Sequence, residues 1–380
     1  MRYVTLVILL VGMLSVVPVP GQAVEVAGKS AVLMDAATGT VLLEQNAHEA
    51  LAPASVTKIM TMLLIMEAVD DGRIALTDTV TASEAAAAKG GSQVYLKVGE
   101  TMSAEDMLKS IAVSSANDCA CAMAEHIAGS EAAFVEKMNE KAAQLGMTDT
   151  HFVNCTGLDD SPEAVSHRTS AMDIATMSRQ LLTAHPDIRN YTTIWMDTIR
   201  GGTFGLSNTN KLIRFYPGAT GLKTGYTSGA GYCLSATAQR EGMELIAVVM
   251  GAETSQKRNA SCKQLLDYGF ANYALVSPEL TETEAIPVKL GTAASVSPIL
   301  GEDGQLLVEK SQKNQITTEI TTEAYLTAPV SQGQILGTLT VKAGEQILRQ
   351  LPLVAGEAVP RLTYGQLYLR VLRRTCMADG

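Results

Sequence analysis

Residues 55–69 read SVTKIMTMLLIMEAV, and no other run constrains the fold as much. Val56, Ile59, Met60, Leu63 and Leu64 fall at helical spacing, which predicts a long helix with its apolar residues against a core. Pro53, just upstream, suits a helix start. At that start stand Ser55 and Lys58, three residues apart and therefore on one helical face. Ser55 would sit near the positive end of the helix dipole. A serine hydroxyl is a poor nucleophile until a base takes its proton. A lysine can be that base only where burial or a nearby cation lowers its pKa. The pair therefore predicts a second positive charge close by.

A lone Ser-x-x-Lys has an ordinary reading, two polar residues on a helix. Two later motifs change the reading: Ser115-Ala116-Asn117 and Lys223-Thr224-Gly225. Each of the three patterns occurs once in the chain. Their contexts fit together as well: a helix start, a turn between helices and the edge of a strand meander.

The rest of the chain supplies those contexts. SAVLMDAATGTVLLEQNA is two apolar runs around Ala37-Thr38-Gly39, a hairpin signature. SAEDMLKSIAV opens on Ser103 with Asp106 three later, close to a capping box. After SSAN, Asp118 reads as the cap of a helix that ends at Gly129. Residues 219–251 hold three strand-like runs separated by Ser228-Gly229-Ala230-Gly231 and Arg240-Glu241-Gly242, an antiparallel meander. A helix over Ser255–Tyr268 closes the unit. Beyond Ser277 the text is short strand-like runs between turn residues, which predicts a small all-β domain. In the tail, Tyr364, Leu367, Tyr368, Val371 and Leu372 form one stripe and Arg370, Arg373 and Arg374 lie largely opposite, a basic amphipathic helix suited to an anionic membrane surface. A terminal helix packed on the β domain is the competing reading.

The first 23 residues carry Arg2, an apolar run over Val4–Val17 ending in Pro18 and Pro20, and the small-residue set Gly21-Gln22-Ala23. That is a secretory leader with cleavage near Ala23, the run being short for a membrane span. No cysteine occupies the cleavage region, so no lipid attachment is implied. A chain of 380 residues with 47% hydrophobic content has room for two domains. A net charge of −10 argues against a nucleic-acid partner. Cys119, Cys121, Cys155, Cys233, Cys262 and Cys376 include no Cys-x-x-Cys pair and read as packing residues, with disulfides permitted by export but not demanded. Five histidines without a His-x-x-x-His pair speak against a zinc site.

With its three motifs and the segments LAPASVTKIMT, VSSANDCA, GMTDTHFVNCTGLDD, GLKTGYTSGAGYCLSATA and VVMGAET, the chain resembles the penicillin-binding serine acyl-transferases, and within them the low-molecular-mass D-alanyl-D-alanine carboxypeptidases. The resemblance implies an α/β (α+β) β-lactamase/transpeptidase-like catalytic domain, with an antiparallel sheet flanked by helices, over 24–276. It implies a small all-β domain over 277–360 and the basic tail over 361–380. It implies that Ser55 attacks the carbonyl of the penultimate D-alanine in a peptidoglycan stem peptide, as a step in cell wall biogenesis. Lys58 is then the proton acceptor, and Ser115 relays the proton to the leaving D-alanine. Lys223 is the cation that lowers the Lys58 pKa and attracts the substrate carboxylate. Asn117 holds the peptide amide and orients Lys58, and Thr224 offers a hydroxyl to the carboxylate. The N–H groups of Ser55 and Tyr226 form an oxyanion hole, with Gly225 between the motif and Tyr226. Arg258 matches the place of an arginine near the carboxylate, although a surface arginine fits the text equally. His151, His167 and Asp173 read as architectural. No metal or organic cofactor is implied. The expected partners are the stem peptide, β-lactams as covalent inhibitors, and a membrane surface through 362–374, with the protein exported to the outer face of the cytoplasmic membrane.

Three rival readings share these residues. A β-lactamase would need a Glu-x-x-x-Asn base, which neither Glu136 nor Glu163 supplies. An endopeptidase acting on cross-links would use the same groups. A non-catalytic wall-binding protein would be expected to lack a motif residue, and none is missing.

Overall fold

The computed structural model describes residues 24–278, 280 and 283–376. The secretory leader expected over 1–23 lies outside the described residues.

Strands β1 (Ser30–Asp35) and β2 (Val41–Gln45) form the hairpin expected around Gly39. Next come α1 (Lys58–Asp70), α2 (Ala104–Ser114), α3 (Asn117–Ala128), α4 (Glu131–Gln144) and α5 (Ala171–Ala184). The meander follows as β3 (Ala219–Thr227), β4 (Gly231–Arg240) and β5 (Met243–Ala252), and α6 (Ser255–Asn272) ends the unit. The five strands make one antiparallel sheet in the order β2-β1-β5-β4-β3. The meander therefore docks on the N-terminal hairpin through β1–β5, with Ala31 opposite Val249 and Leu33 opposite Ala247.

Alternate side chains of a strand leave opposite faces. Val32, Met34, Ile246, Val248 and Met250 enter the larger core, with α1 to α5. Ala31, Leu33, Leu245, Ala247 and Val249 enter a second core against Cys262, Leu265, Leu266 and Phe270 of α6. A sheet covered on both faces needs no polar side, which explains why β5 reads as continuous apolar text. Gly269 lets α6 lie close: a side-chain carbon there would sit 2.4 Å from Leu245 Cδ1.

Two local expectations change. The spacing of α1 predicts an apolar face, but Met62, Ile65 and Met66 are buried too. The helix is enclosed on every side by α3, α5 and the sheet, as a helix apolar all round must be. Asp118 does not cap α3, which begins at Asn117 with Ala116 at the cap position. The Asp118 side chain turns inward, and its carboxylate accepts from Val94 N (3.1 Å), Leu96 N (3.0 Å) and Cys119 N (2.9 Å). Those N–H groups are buried and need an acceptor, which decides the direction the carboxylate takes. Ser103 caps α2 through Asp106 N, and Gly129 ends α3 in the left-handed conformation, both as read.

The second unit is built of short strands: β6 (Tyr273–Val276), β7 (Ile286–Lys289), β8 (Ser295–Val296), β9 (Pro298–Leu300), β10 (Leu306–Glu309), β11 (Ile316–Thr322), β12 (Leu326–Thr327), β13 (Ile335–Ala343) and β14 (Gln346–Ala355). They form the sets β6-β10, β8-β7-β12 and β9-β14-β13-β11 around two small cores. β6 continues directly from α6 and pairs with β10 across the boundary drawn at 276. A last helix, α7 (Tyr364–Cys376), follows.

Replacing Gly269 by Val drives a branched side chain into Leu245 and Leu33. Overpacking of this kind costs about 1–3 kcal/mol, which for a unit of this size lowers Tm by about 2–10 °C. Thermal unfolding followed by circular dichroism measures it.

Candidate active site

Ala54–Thr57 is a single 3-10 turn that runs into α1, so Ser55 precedes the α-helix rather than opening it. Three supports hold this turn. A side-chain carbon on Gly225 would lie 2.8 Å from Pro53 O and 3.1 Å from Ser55 N, so only glycine lets β3 pass so near the nucleophile. Gly157, at φ +80°, closes the other side, where a side-chain carbon would stand 1.8 Å from Ala54 O. Ala54 itself has φ 50°, a left-handed conformation that an alanine adopts only under constraint.

The third support is a hydrogen-bond chain. Val153 N donates to His167 Nδ1 (3.0 Å), so the proton of a neutral ring is on Nε2. That nitrogen is 2.8 Å from Thr57 Oγ1, which donates to Ala54 O at 2.8 Å. Burial, with the charges of His151, Arg168 and Lys58, lowers the His167 pKa to about 4, so the ring stays neutral. His167 is thus architectural, as the sequence suggests. Asp173 is too: its carboxylate accepts from Asp149 N and Thr150 Oγ1. His151 is exposed and pairs with Arg168 through backbone.

Lys58 is fully buried, and its Nζ lies 3.0 Å from Ser55 Oγ and 2.8 Å from Thr156 O. Burial lowers its pKa to about 7, with Cys155 and Asp118 pulling weakly the other way. The residues alone left burial or a nearby cation as the cause, and the resemblance implied Lys223. The cation is present, since Lys223 is also buried and its pKa is held well below normal, by burial first and then by repulsion from Lys58 and Arg258. At Lys58 the lowering comes from loss of water.

Ser115 ends α2 in the left-handed conformation (φ 63°) and is 3% exposed. Its Oγ is buried without a hydrogen-bond partner, and so is Asn117 Oδ1. Asn117 Nδ2 donates to Gly90 O at 2.7 Å. Asn117 therefore does not orient Lys58 as the resemblance implies; the Thr156 carbonyl does. That carbonyl belongs to a loop shaped by Asn154, whose Oδ1 accepts from Thr156 N, Thr156 Oγ1 and Gly157 N.

On β3, Lys223 Nζ donates to Thr224 O (3.0 Å), and Thr224 Oγ1 is 2.6 Å from Thr209 Oγ1. Tyr226 is exposed and stacks on Tyr232, with ring centres 4.3 Å apart. Arg258 is not a surface arginine: it is 5% exposed, and its guanidinium donates only to neutral acceptors, Asn259 Oδ1 and Cys233 O. Burial lowers its pKa as well. Lys223 and Arg258 thus form a basic corner with no carboxylate at hydrogen-bond distance among the described residues, suited to an anionic group. Glu136 and Glu163 are both exposed.

The structure brings Ser55, Lys58 and Gly225 together, with Lys223 in electrostatic reach of Lys58 and Arg258, while Asn117 is held by Gly90. Sequence reasoning missed Asn154, Thr156, Gly157, Thr209 and Gly90. Asn-x-Thr-Gly over 154–157 and Asn-Thr-Asn over 208–210 are turn signals. A backbone carbonyl that grips a lysine leaves no signal at all.

Comparison with known proteins agrees with this geometry. The family model for D-alanyl-D-alanine carboxypeptidase, Peptidase_S11, matches residues 17–254, and that for the penicillin-binding protein 5 C-terminal domain matches 279–361. D-alanyl-D-alanine carboxypeptidase DacF of Bacillus subtilis is 43% identical over 354 residues, covering 91% of this chain and 88% of that protein. The crystal structure of penicillin-binding protein 5 from Haemophilus influenzae superposes with TM-score 0.77 at 29% identity, covering 90% of this chain and all of that one. Penicillin-binding protein D2 from Listeria monocytogenes, solved in an ampicillin-bound form, aligns with TM-score 0.60 at 31% identity over 66% of this chain and all of that one.

Two outcomes follow from the geometry. Acylation of Ser55 by penicillin should require neutral Lys58, so its rate should be flat above pH 7 and fall about tenfold per pH unit well below it, as stopped-flow rates across pH 5–9 would reveal. Gly157→Ala should slow the same acylation by about tenfold or more, because the side chain displaces Ala54 O and the nucleophile turn with it. Motifs, buried amine and architecture together place the chain in the serine D-alanyl-D-alanine carboxypeptidase family, among the low-molecular-mass penicillin-binding proteins.

Proposed function

We propose that this protein is a D-alanyl-D-alanine carboxypeptidase that removes the terminal D-alanine from peptidoglycan stem peptides through an acyl-enzyme on Ser55. The observation that carries the reading is the 3.0 Å contact between Ser55 Oγ and a fully buried Lys58 amine whose pKa is about 7. Neutral Lys58 takes the Ser55 proton as Oγ attacks the carbonyl carbon of the penultimate D-alanine. The oxyanion is held by the N–H groups of Ser55 and Tyr226. Collapse breaks the C–N bond; the proton passes from Lys58 through Ser115 to the leaving amine, and D-alanine departs. Water then attacks the ester with the same groups in reverse roles, freeing the shortened peptide and Ser55.

Substrate placement follows from the same residues. β3 is the edge strand of the sheet, so an extended peptide can add along it. Lys223, Thr224 and Arg258 receive the terminal carboxylate, and Asn117 meets the peptide amide. A β-lactam acylates Ser55 in the same way and stays there, because neither Glu136 nor Glu163 leaves the surface to activate water. The ampicillin-bound state of the Listeria protein supports this part of the reading.

The protein acts outside the cytoplasm in this proposal, with residues 362–374 resting on the outer face of the membrane. In α7, Tyr364, Tyr368, Leu369 and Leu372 are exposed. Arg370 reaches back, to Gly291 O at 3.0 Å. Among the described residues no helix is long and apolar enough to cross a membrane.

Mass spectrometry of the chain lacking residues 1–23, after brief incubation with penicillin, should reveal a persistent adduct on the wild type and none on Ser55→Ala. D-alanine should be released from a peptide ending in D-Ala-D-Ala. Lys58→Ala should lower that release by about 10²–10⁴-fold, and Lys223→Arg should retain part of it. Rapid loss of penicillin without an adduct would replace this reading with a β-lactamase. Neither adduct nor turnover would leave a wall-binding protein.

A further inference from the structure

The backbone carbonyls that hold the Asn117 and Lys58 side chains belong to two separate segments. Gly90 O holds the Asn117 amide, and Thr156 O holds the Lys58 amine. These segments face each other across a groove of about 560 Å³, with Lys89 and Gly90 lining it from one and Asn154 and Thr156 from the other. One ion pair spans the groove: Lys89 Nζ lies 2.5 Å from Glu131 Oε2. Glu131 opens α4, where the helix dipole favours a carboxylate. Its other oxygen accepts from Cys155 N (3.3 Å) and Cys155 Sγ (3.2 Å). Cys155 immediately precedes Thr156, and its own carbonyl accepts from Thr61 Oγ1 of α1 at 2.6 Å. An unbroken path thus runs from Gly90 through Lys89, Glu131 and Cys155 to the carbonyl on Lys58.

We propose that Lys89 and Glu131 are positioning residues for the acyl transfer, acting through two backbone carbonyls on Lys58 and Asn117. This rests on the carboxypeptidase reading above. Both side chains are only 22% exposed, so solvent screens the pair less than it would on the open surface. The thiols of Cys121 and Cys155 and the Lys89 ammonium are the titratable groups around Glu131. Burial opposes its charge, but the ammonium and the Cys155 hydrogen bonds hold its carboxyl below the usual range. The pair stays charged through the working pH range. It touches neither Ser55 nor the carboxylate corner, so the first non-covalent grip on substrate is not its task.

Saturable acylation by penicillin separates the two effects, giving the first-order acylation rate and the dissociation constant of the complex that precedes it. In Glu131→Gln and Lys89→Met the rate should fall by about tenfold, the loss expected when a catalytic group is misplaced by a fraction of an ångström, while the dissociation constant changes by less than about twofold. Lys89→Arg, which keeps the charge pair, should restore the rate to within about threefold of wild type. Circular dichroism at the assay temperature checks that each variant is folded. An unchanged rate in the folded Glu131→Gln and Lys89→Met proteins would overturn the proposal. So would a Lys89→Arg rate as low as that of Lys89→Met, or a loss confined to the dissociation constant. A wild type that forms no adduct would instead strike the carboxypeptidase reading itself.

Discussion

The site depends on one desolvated amine. A lysine in water holds its proton near neutral pH and cannot act as a base. Lys58 is fully buried, and among the described residues its amine has Ser55 Oγ and Thr156 O as hydrogen-bond partners. Keeping an ammonium in such a place costs several kcal/mol, so the amine gives up its proton instead. The apolar text after Lys58 is therefore part of the chemistry as well as the core. It sets the solvent from which the amine is excluded.

The second constraint is steric. The nucleophile turn is squeezed between the backbone of β3 and that of the 154–158 loop, at distances no side chain would permit. Two glycines allow the approach, and the Thr57–His167 chain holds Ala54 in its left-handed conformation against the tendency of the turn to relax. Left-handed backbone at a residue with a side chain costs about 1–2 kcal/mol, and the packed neighbours over-determine it. The Ser55 hydroxyl is thereby fixed relative to the edge strand, whose backbone supplies the remaining polar groups.

Charge is distributed against the average. The chain as a whole carries −10, but the groups buried at the site are Lys58, Lys223 and Arg258. Burial first, and then the charges of Lys58 and Arg258, lower the pKa of Lys223.

By itself the sequence determined the three motifs, the hairpin and meander, the all-β second unit and the amphipathic tail, because spacing and turn chemistry are local. It also pointed to the contact between Ser55 and Lys58 from their spacing alone. What the tertiary structure decided lies in contacts between distant segments. Asp118 reads as a cap but serves the buried N–H groups of Val94 and Leu96, which nothing near it in sequence announces. Arg258 passes for a surface residue until α6 docks on β4. Asn117 turns to Gly90, and a carbonyl 98 residues from Lys58 takes the place assigned to it. Every residue type offers the same carbonyl and N–H, so a site built partly of backbone is invisible to composition. Only folding decides which carbonyl meets the amine, and only packing removes the water that would have kept it charged.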